Sequence, residues 1–539
     1  MAPREELLVI LDLTSTVLRA GVGVHDLIRG PLLELPTRIG RKRSTAGTKV
    51  EDYLVGHHLT EAEREPPSSS SSTEPQFDVV HPLKVDPQTG FEVTDWVGLE
   101  AIFRYALHTA LQLARPPLAH PTVLSVPPTL TRSTLDHLHR VVFERLLVPS
   151  LLLSSRPFFA AGAAGVTSGL VVDLGWRGEG TEISVVHENQ VVESAGGMRI
   201  PSVDEGVLDD YAAVKIWAES KAELEDAFRQ ARDGKDVSQG DMLEGVRRIV
   251  GELKNRDLIG FESQHFKHGS SNGTAGGAGI GPGGTGVDGD EGTFDVAKVV
   301  AEGKVSELVK KKGSKPPAST SSLPEGDYVS IPNPFSPPPP APSLDLSVPV
   351  PELPPHATLS IGPARHAYLE PLFFPHVLAE TLSSRNDSAR EIGLTYFDEV
   401  GNLNQAGVQE AVGAVLSAIQ DRETRAAVAE NIVVISSGRV ASNRALGATL
   451  IPLLSPFSIP AVEDPLEPQS AGAQPTMRYA RTPEYFSNFK EHAGDWGVYL
   501  GECILGKLLI GDQQSKLFMS KAEYASTGPA AYRLLDAIP

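Results

Sequence analysis

Two stretches of this chain, Leu7 to Val24 (LLVILDLTSTVLRAGVGV) and Gly169 to Val186, carry one pattern: an apolar run closed by an aspartate, a polar turn, and a returning apolar run. Each run is too short for a helix, so the pattern predicts two β-hairpins with Asp12 and Asp173 at their turns. A chain with two such hairpins is expected to fold as two similar lobes that each aim an acidic loop at a shared cleft. Hairpins that cradle a phosphate keep glycines after the acid, because backbone amides must approach the anion closely and some positions need positive φ. Here Thr14 and Thr16 stand at those positions.

Strands alternate with helices in the segments between the hairpins, which predicts an α/β fold. Thr94 reads as the N-cap of a helix with Leu99, Ile102, Phe103 and Ala106 on one face; Pro121 to Pro127 reads as a buried strand, followed by an amphipathic helix through Leu135, Leu138, Val142 and Leu146. Arg41 to Arg43 reads as a solvated turn, with a nuclear import signal as the alternative. His57 and His58 are expected to point apart in a strand, which argues against joint metal ligation, and no metal site is expected elsewhere. Pro66 to Pro75 is low-complexity, with order resuming at Phe77. Glycine-dense Ser263 to Gly292 and proline- and serine-rich Ser314 to Pro355 read as unstructured insertions around a short helix from Phe294 to Lys312.

With 539 residues the chain has length for two to four domains and more than one core. No apolar run approaches the roughly 20 residues of a membrane span, and the first residues lack the order of a secretion signal, so a soluble, non-exported protein is expected. One cysteine, Cys503, leaves no internal disulfide and no cysteine-based metal site, and fits a reducing compartment. A formal charge of −20 argues against a broad DNA-binding face and suits a basic protein partner.

Four motifs carry a family resemblance: Leu35-Pro-Thr-Arg-Ile-Gly-Arg-Lys-Arg43; Val93-Thr-Asp-Trp96; Ile361-Gly-Pro-Ala-Arg365 with Glu370-Pro-Leu-Phe373; and Met519-Ser-Lys-Ala-Glu-Tyr524 with Gly528-Pro529. In this order they resemble the actin-related proteins. The inserted Glu-Gly-Thr-Phe-Asp-Val-Ala pattern and Tyr485-Phe-Ser-Asn-Phe-Lys490 resemble the fungal nuclear subunits of SWI/SNF and RSC chromatin-remodelling complexes, the class numbered ninth. The resemblance implies an actin-like, two-lobed, duplicated ribonuclease-H-like fold around a central cleft. Residues 1–160 with 494–539 would form the first lobe and 161–493 the second, interrupted at 263–356.

The family's ATP site is implied to be degenerate in this chain. Asp12, Ser15, Arg19 and Gly21 match the first phosphate loop, while Leu13, Thr14 and Thr16 replace an amide side chain and two glycines, so the loop must relax away from a phosphate or hold a strained turn. Asp173 and Gly175 match the second loop, but Trp176-Arg-Gly-Glu179 brings two extra residues, up to ~7 Å of chain, and a negative charge. Arg156 stands at the water-orienting glutamine, Glu182 at a histidine and Asp495 at a lysine; Gly438 is kept. At roughly 8 Å an acid in place of that lysine would repel a phosphate by about 2 kcal/mol. No catalytic residue and no cofactor is therefore expected, with Asp12 and Asp173 read as turn and strand-end acids.

What the resemblance leaves is a groove for partner helices. It maps to Gly162, Ala163, Gly165, Thr167, Ile504, Leu505 and Leu508, with Asp495 to Ile510 read as a strand entering a helix. The implied partners are a basic helical segment of a remodelling ATPase, the helicase/SANT-associated region, and a second actin-related protein, in the nucleus, with no sequence-specific DNA contact and no membrane. The alternatives are a nucleotide-binding actin-like ATPase and a dynactin-type filament-end subunit.

Overall fold

The computed structural model describes residues 7–24, 28–43, 49–64, 77–86, 90–115, 118–192, 197–231, 237–261, 344–347, 358–396, 406–436, 438–454, 457, 477–483, 485–489, 492, 494–511 and 517–529. The expected loop at 66–75, most of the 263–356 insertion and its helix at 294–312 lie outside the described residues.

Both predicted hairpins are present and each is the centre of a sheet. In the first sheet the strands run, edge to edge, Met519–Ser520, Ser150–Ser155, Thr122–Val126, Val9–Leu13, Val17–Val22 and Leu33–Pro36. In the second they run Gln190–Val191, Thr181–His187, Gly169–Leu174, Asn431–Ser436 and Arg478–Ala480, with Met198–Ile200 also paired to Thr181–His187. The plan is the same in both. The strand bearing the aspartate pairs antiparallel with its hairpin mate and parallel with a later strand, so Asp12 lies beside Arg19 and Ser125, and Asp173 beside Glu182 and Ile435. Strands covered on both faces need continuous apolar runs, and Val9–Leu13 and Asn431–Ser436 are buried throughout.

Three cores follow. One fills the first sheet around Leu11, Phe103 and Phe143; one fills the second around Trp217, Tyr211 and Phe373. The third joins the two sheets: Ile10, Val123 and Leu152 meet Val171, Val433 and Ile435 through the helices Arg156–Ala164 and Gly497–Gly511. Those helices approach closely because glycine faces the contact. A Cβ on Gly501 would overlap the Phe159 carbonyl, and one on Gly162 would come within 2.6 Å of Leu505 Cδ1.

Four local expectations are corrected. Arg41 and Lys42, read as part of a turn, lie in the strand Ile39–Lys42, where Arg41 pairs with Tyr53 and Asp78 and Lys42 with Phe77, and only Arg43 falls in the turn that follows. The helix Trp96–Arg104 is capped by Asp95, whose Oδ1 accepts from the Gly98 amide at 2.8 Å, while the Thr94 hydroxyl donates back to the Pro82 carbonyl at 3.3 Å. A carboxylate facing a helix N-terminus gains from the dipole as well as from the hydrogen bond. His57 and His58 open the helix His57–Arg64, because the Tyr53–Val55 strand stops at Gly56, whose φ is 58°. Asp495 and Trp496 lie in a turn before the Gly497–Gly511 helix, and no strand leads into it. Among the described residues no helix is long and apolar enough to cross a membrane.

Candidate functional site

The turn of the first hairpin resolves the conflict posed by Thr14 and Thr16. No residue from Leu13 to Val17 has positive φ, so the turn is relaxed. Thr14 Oγ1 accepts from the Val17 amide at 2.9 Å and the Thr16 amide at 3.3 Å, and the Thr14 amide donates to the Val17 carbonyl at 3.0 Å. A threonine that gathers nearby amides onto its own hydroxyl is a side-chain-stabilised turn. Three donors that a glycine turn would present outward are used within the loop.

The fourth, the Ser15 amide, donates at 3.0 Å to Glu179 Oε1, and the Ser15 hydroxyl donates to the same oxygen. Glu179 Oε2 accepts from the Trp176 amide at 2.7 Å. One buried carboxylate thus collects amides from both hairpins. Burial pushes its pKa up, against the lowering effect of the Ser15 and Trp176 donors. The added length of the 176–179 turn makes this reach possible: Arg177 takes φ 35°, Gly178 94° and Gly180 72°, and the Gly178 amide is held by Asp204 Oδ2 at 2.6 Å.

Arg156, at the N-terminus of the Arg156–Ala164 helix, spans the space between the two aspartates. Its Nε donates to Asp173 Oδ2 at 2.9 Å and its Nη1 to Asp12 Oδ1. Asp12 also accepts from Ser125 Oγ at 2.9 Å and Arg19 Nη1 at 3.2 Å. Burial works against the charged guanidinium, but Asp12 and then Asp173 more than offset it and hold its pKa above the ordinary arginine value. Glu182, across the pair from Asp173, is pushed up to about 8 by burial and then by the Asp173 charge. Thr14, Arg156, Asp173, Glu179 and Glu182 line the small pocket that remains between the hairpins.

A further acid completes the arrangement and carries no sequence signal of its own. Glu205 begins the Glu205–Ala231 helix and is fully buried; it accepts from the Gly438 amide at 2.9 Å and the Arg439 amide at 3.0 Å. Lys254 Nζ pairs with Glu205 at 3.0 Å and with Asp209 at 2.7 Å, and lies 5.4 Å from the centre of the Trp176 ring. The contacts therefore run unbroken from Ser15 through Glu179, Trp176, Lys254 and Glu205 to Gly438. Glu502 was also unforeseen. Its Oε1 accepts from the Ser125 amide at 2.8 Å, its Oε2 is buried with no hydrogen-bond partner, and burial next to Asp12 holds its pKa far above the carboxylate range.

The remaining sequence-derived positions fall as follows. Gly21 is crossed by the Tyr499 side chain, which fills the space a Cβ would need, and Gly175 abuts Glu179 in the same way. Asp495 Oδ2 meets His492 Nδ1 at 3.1 Å, and among the described residues it makes no hydrogen bond to either hairpin turn. Of the groove residues, Ala163 and Ile504 are buried in the joining core, Gly162 and Leu505 pack on one another, and Gly165, Thr167 and Leu508 are exposed beside them.

Comparison with known proteins adds the following. Residues 4–200 match the family model described as Actin. The chain is 33% identical over 103 residues to actin-related protein 4 of Arabidopsis thaliana, covering 19% of this chain and 22% of that one. It is 28% identical over 170 residues to an actin-like protein of Neurospora crassa, covering 31% and 40%. Over 218 residues it is 23% identical to the Schizosaccharomyces pombe protein described as SWI/SNF and RSC complexes subunit arp9, covering 36% and 41%. The matched stretch thus spans about two fifths or less of these relatives' own length.

Proposed function

We propose that this chain, an actin-related protein whose residues 4–200 match the actin family, is a non-catalytic subunit of a SWI/SNF- or RSC-type chromatin-remodelling complex. In this reading it works in the nucleus, where it and a second actin-related protein grip a basic helical segment of the remodelling ATPase and tune DNA translocation. The similarity to a subunit of those complexes supports the assembly. The −20 charge supports a basic partner through long-range attraction.

The observation that carries the non-catalytic reading is the engagement of the cleft's donors by the chain itself. A triphosphate needs outward amides, and a divalent cation needs free carboxylates or their waters. Here Glu179 takes the Ser15 and Trp176 amides, Glu205 takes the Gly438 and Arg439 amides, and Arg156 bridges Asp12 and Asp173. The residues as they stand do not fit a magnesium nucleotide. In this reading the Glu179 and Glu205 carboxylates take amides that a phosphate would need, and the Arg156 guanidinium takes carboxylates that a cation would need. Arg156 offers donors only and cannot accept a hydrogen bond from an attacking water.

With the interlobe frame locked in this way, the exposed edge at Gly165, Thr167 and Leu508 is a stable platform for a helix. Mixing the full chain with the ATPase segment and a second actin-related subunit should give a stoichiometric complex on gel filtration. Separate elution at micromolar concentrations would remove the assembly reading. Denaturing the purified protein and assaying released nucleotide tests the locked site independently: stoichiometric ATP or ADP would overturn it.

A further inference from the structure

The first turn of the His57–Arg64 helix brings His57 and His58, which a strand would separate, together with Glu61. In a strand neighbouring residues point to opposite faces; in a helix they lie about 100° apart, and residues four apart share a face. The His57 and His58 ring centres are 3.9 Å apart, and Glu61 is one turn on from His57. One ligand atom from each of the three lies within 4.8 Å of the others, and all three residues are exposed. Among the described residues this is the one such group.

The turn is also braced. A Cβ on Gly56 would strike the Tyr105 ring, so glycine there lets that ring pack beneath the start of the helix. The Tyr105 hydroxyl accepts from the His57 amide at 3.2 Å and lies 2.5 Å from His57 Nδ1. A phenol oxygen has two lone pairs, so it can accept from Nδ1–H as well, which leaves Nε2 with its lone pair free. Metal-binding histidines are commonly oriented by such a contact on their other nitrogen.

We infer that His57, His58 and Glu61 form a surface site for a divalent transition metal, Zn²⁺ foremost, with the remaining position open to water. Two imidazoles and a carboxylate are a donor set that suits zinc. Bonds of about 2.0–2.1 Å in a tetrahedral centre place ligand atoms roughly 3.4 Å apart. All three side chains are exposed, so rotation about their own bonds is open to them. Tyr105 acts as a positioning residue, holding the His57 ring without touching the metal.

Titrating the full chain with ZnCl₂ in excess Mg²⁺, by calorimetry, tests the site. Wild type should show one site that weakens at least tenfold in His58→Ala and in Glu61→Gln, with thermal midpoints in the absence of zinc unchanged. Tyr105→Phe should weaken it by roughly 10–100-fold while leaving the stoichiometry at one. X-ray absorption of the zinc-loaded wild type should show two imidazole ligands. Identical isotherms for wild type, His58→Ala and Glu61→Gln, or a zinc spectrum with oxygen ligands alone, would mean an adventitious ion only and would overturn the proposal.

Discussion

Glu179 of the second hairpin closes on Ser15 of the first, accepting its backbone amide at 3.0 Å and its hydroxyl on one carboxylate oxygen. The two residues are 164 positions apart in the chain, and the contact ties the turns of both sheets across the cleft. A carboxylate in an amide-lined turn can accept the hydrogen bonds that an anion's oxygens would take there.

Removing that carboxylate should therefore uncover an anion site. In Glu179→Ala the Ser15 amide and hydroxyl and the Trp176 amide lose their acceptor. Millimolar inorganic phosphate is expected to raise the thermal midpoint of this variant by a few degrees and to leave wild type unmoved. Equal responses of the two proteins would show that Glu179 does not stand in for an anion.

Arg156 is the only cation that touches both aspartates among the described residues. Arg156→Met keeps much of the side-chain volume but leaves Asp12 and Asp173 facing each other without it. Breaking a buried ion pair from one side costs about 3–5 kcal/mol, so urea unfolding should show a loss of that order. A midpoint within error of wild type would mean the bridge contributes nothing to the folded state.

Glu182 gives a pH dependence whose sign is fixed. With its pKa at about 8 in the folded protein, raised first by burial and then by Asp173, it keeps its proton between the ordinary carboxyl value of 4.5 and 8, where the unfolded chain has released it. The folded state then binds more protons, so stability falls as pH rises through that window and levels off above it. Burial raises Glu179, Glu205 and Glu502 in the same direction. Glu182→Gln should flatten the decline between pH 5 and pH 8 by about one proton and be more stable than wild type at pH 8. An unchanged slope in denaturant titrations across that range would contradict a protonated Glu182.

The two faces of the Gly497–Gly511 helix should respond differently to substitution. Gly501→Ala forces a methyl group into the Phe159 carbonyl, and overpacking of this kind costs about 1–3 kcal/mol. Leu508 is 37% exposed, so Leu508→Asp should leave the thermal midpoint within a degree or two while weakening capture of the ATPase helix at least tenfold. If Leu508→Asp binds as well as wild type, the helix does not dock at this edge.

Much of this architecture is local and could be read directly. The hairpins at Leu7 to Val24 and Gly169 to Val186 declare themselves because strand length, apolar run and turn chemistry are all set within a few residues. The family resemblance puts Arg156 at the position of a water-orienting glutamine, and only the inability of a guanidinium to accept a hydrogen bond follows from the residue itself. The cap at Asp95 was missed by one position because Thr94 and Asp95 are both good caps and only the backbone angles choose between them.

The sequence by itself determined the two acid-tipped hairpins, the α/β alternation and the loss of glycine at Thr14 and Thr16. Only the tertiary structure decided which groups meet between the two hairpins. Glu179 reads locally as an extra negative charge in a lengthened turn and Glu205 as an ordinary acid at a helix start, which complements the dipole in any protein. Their partners, Ser15 and Gly438 with Arg439, come from distant parts of the chain. A buried carboxylate is defined by the donors that packing brings to it, and no run of neighbouring residues records which donors those are.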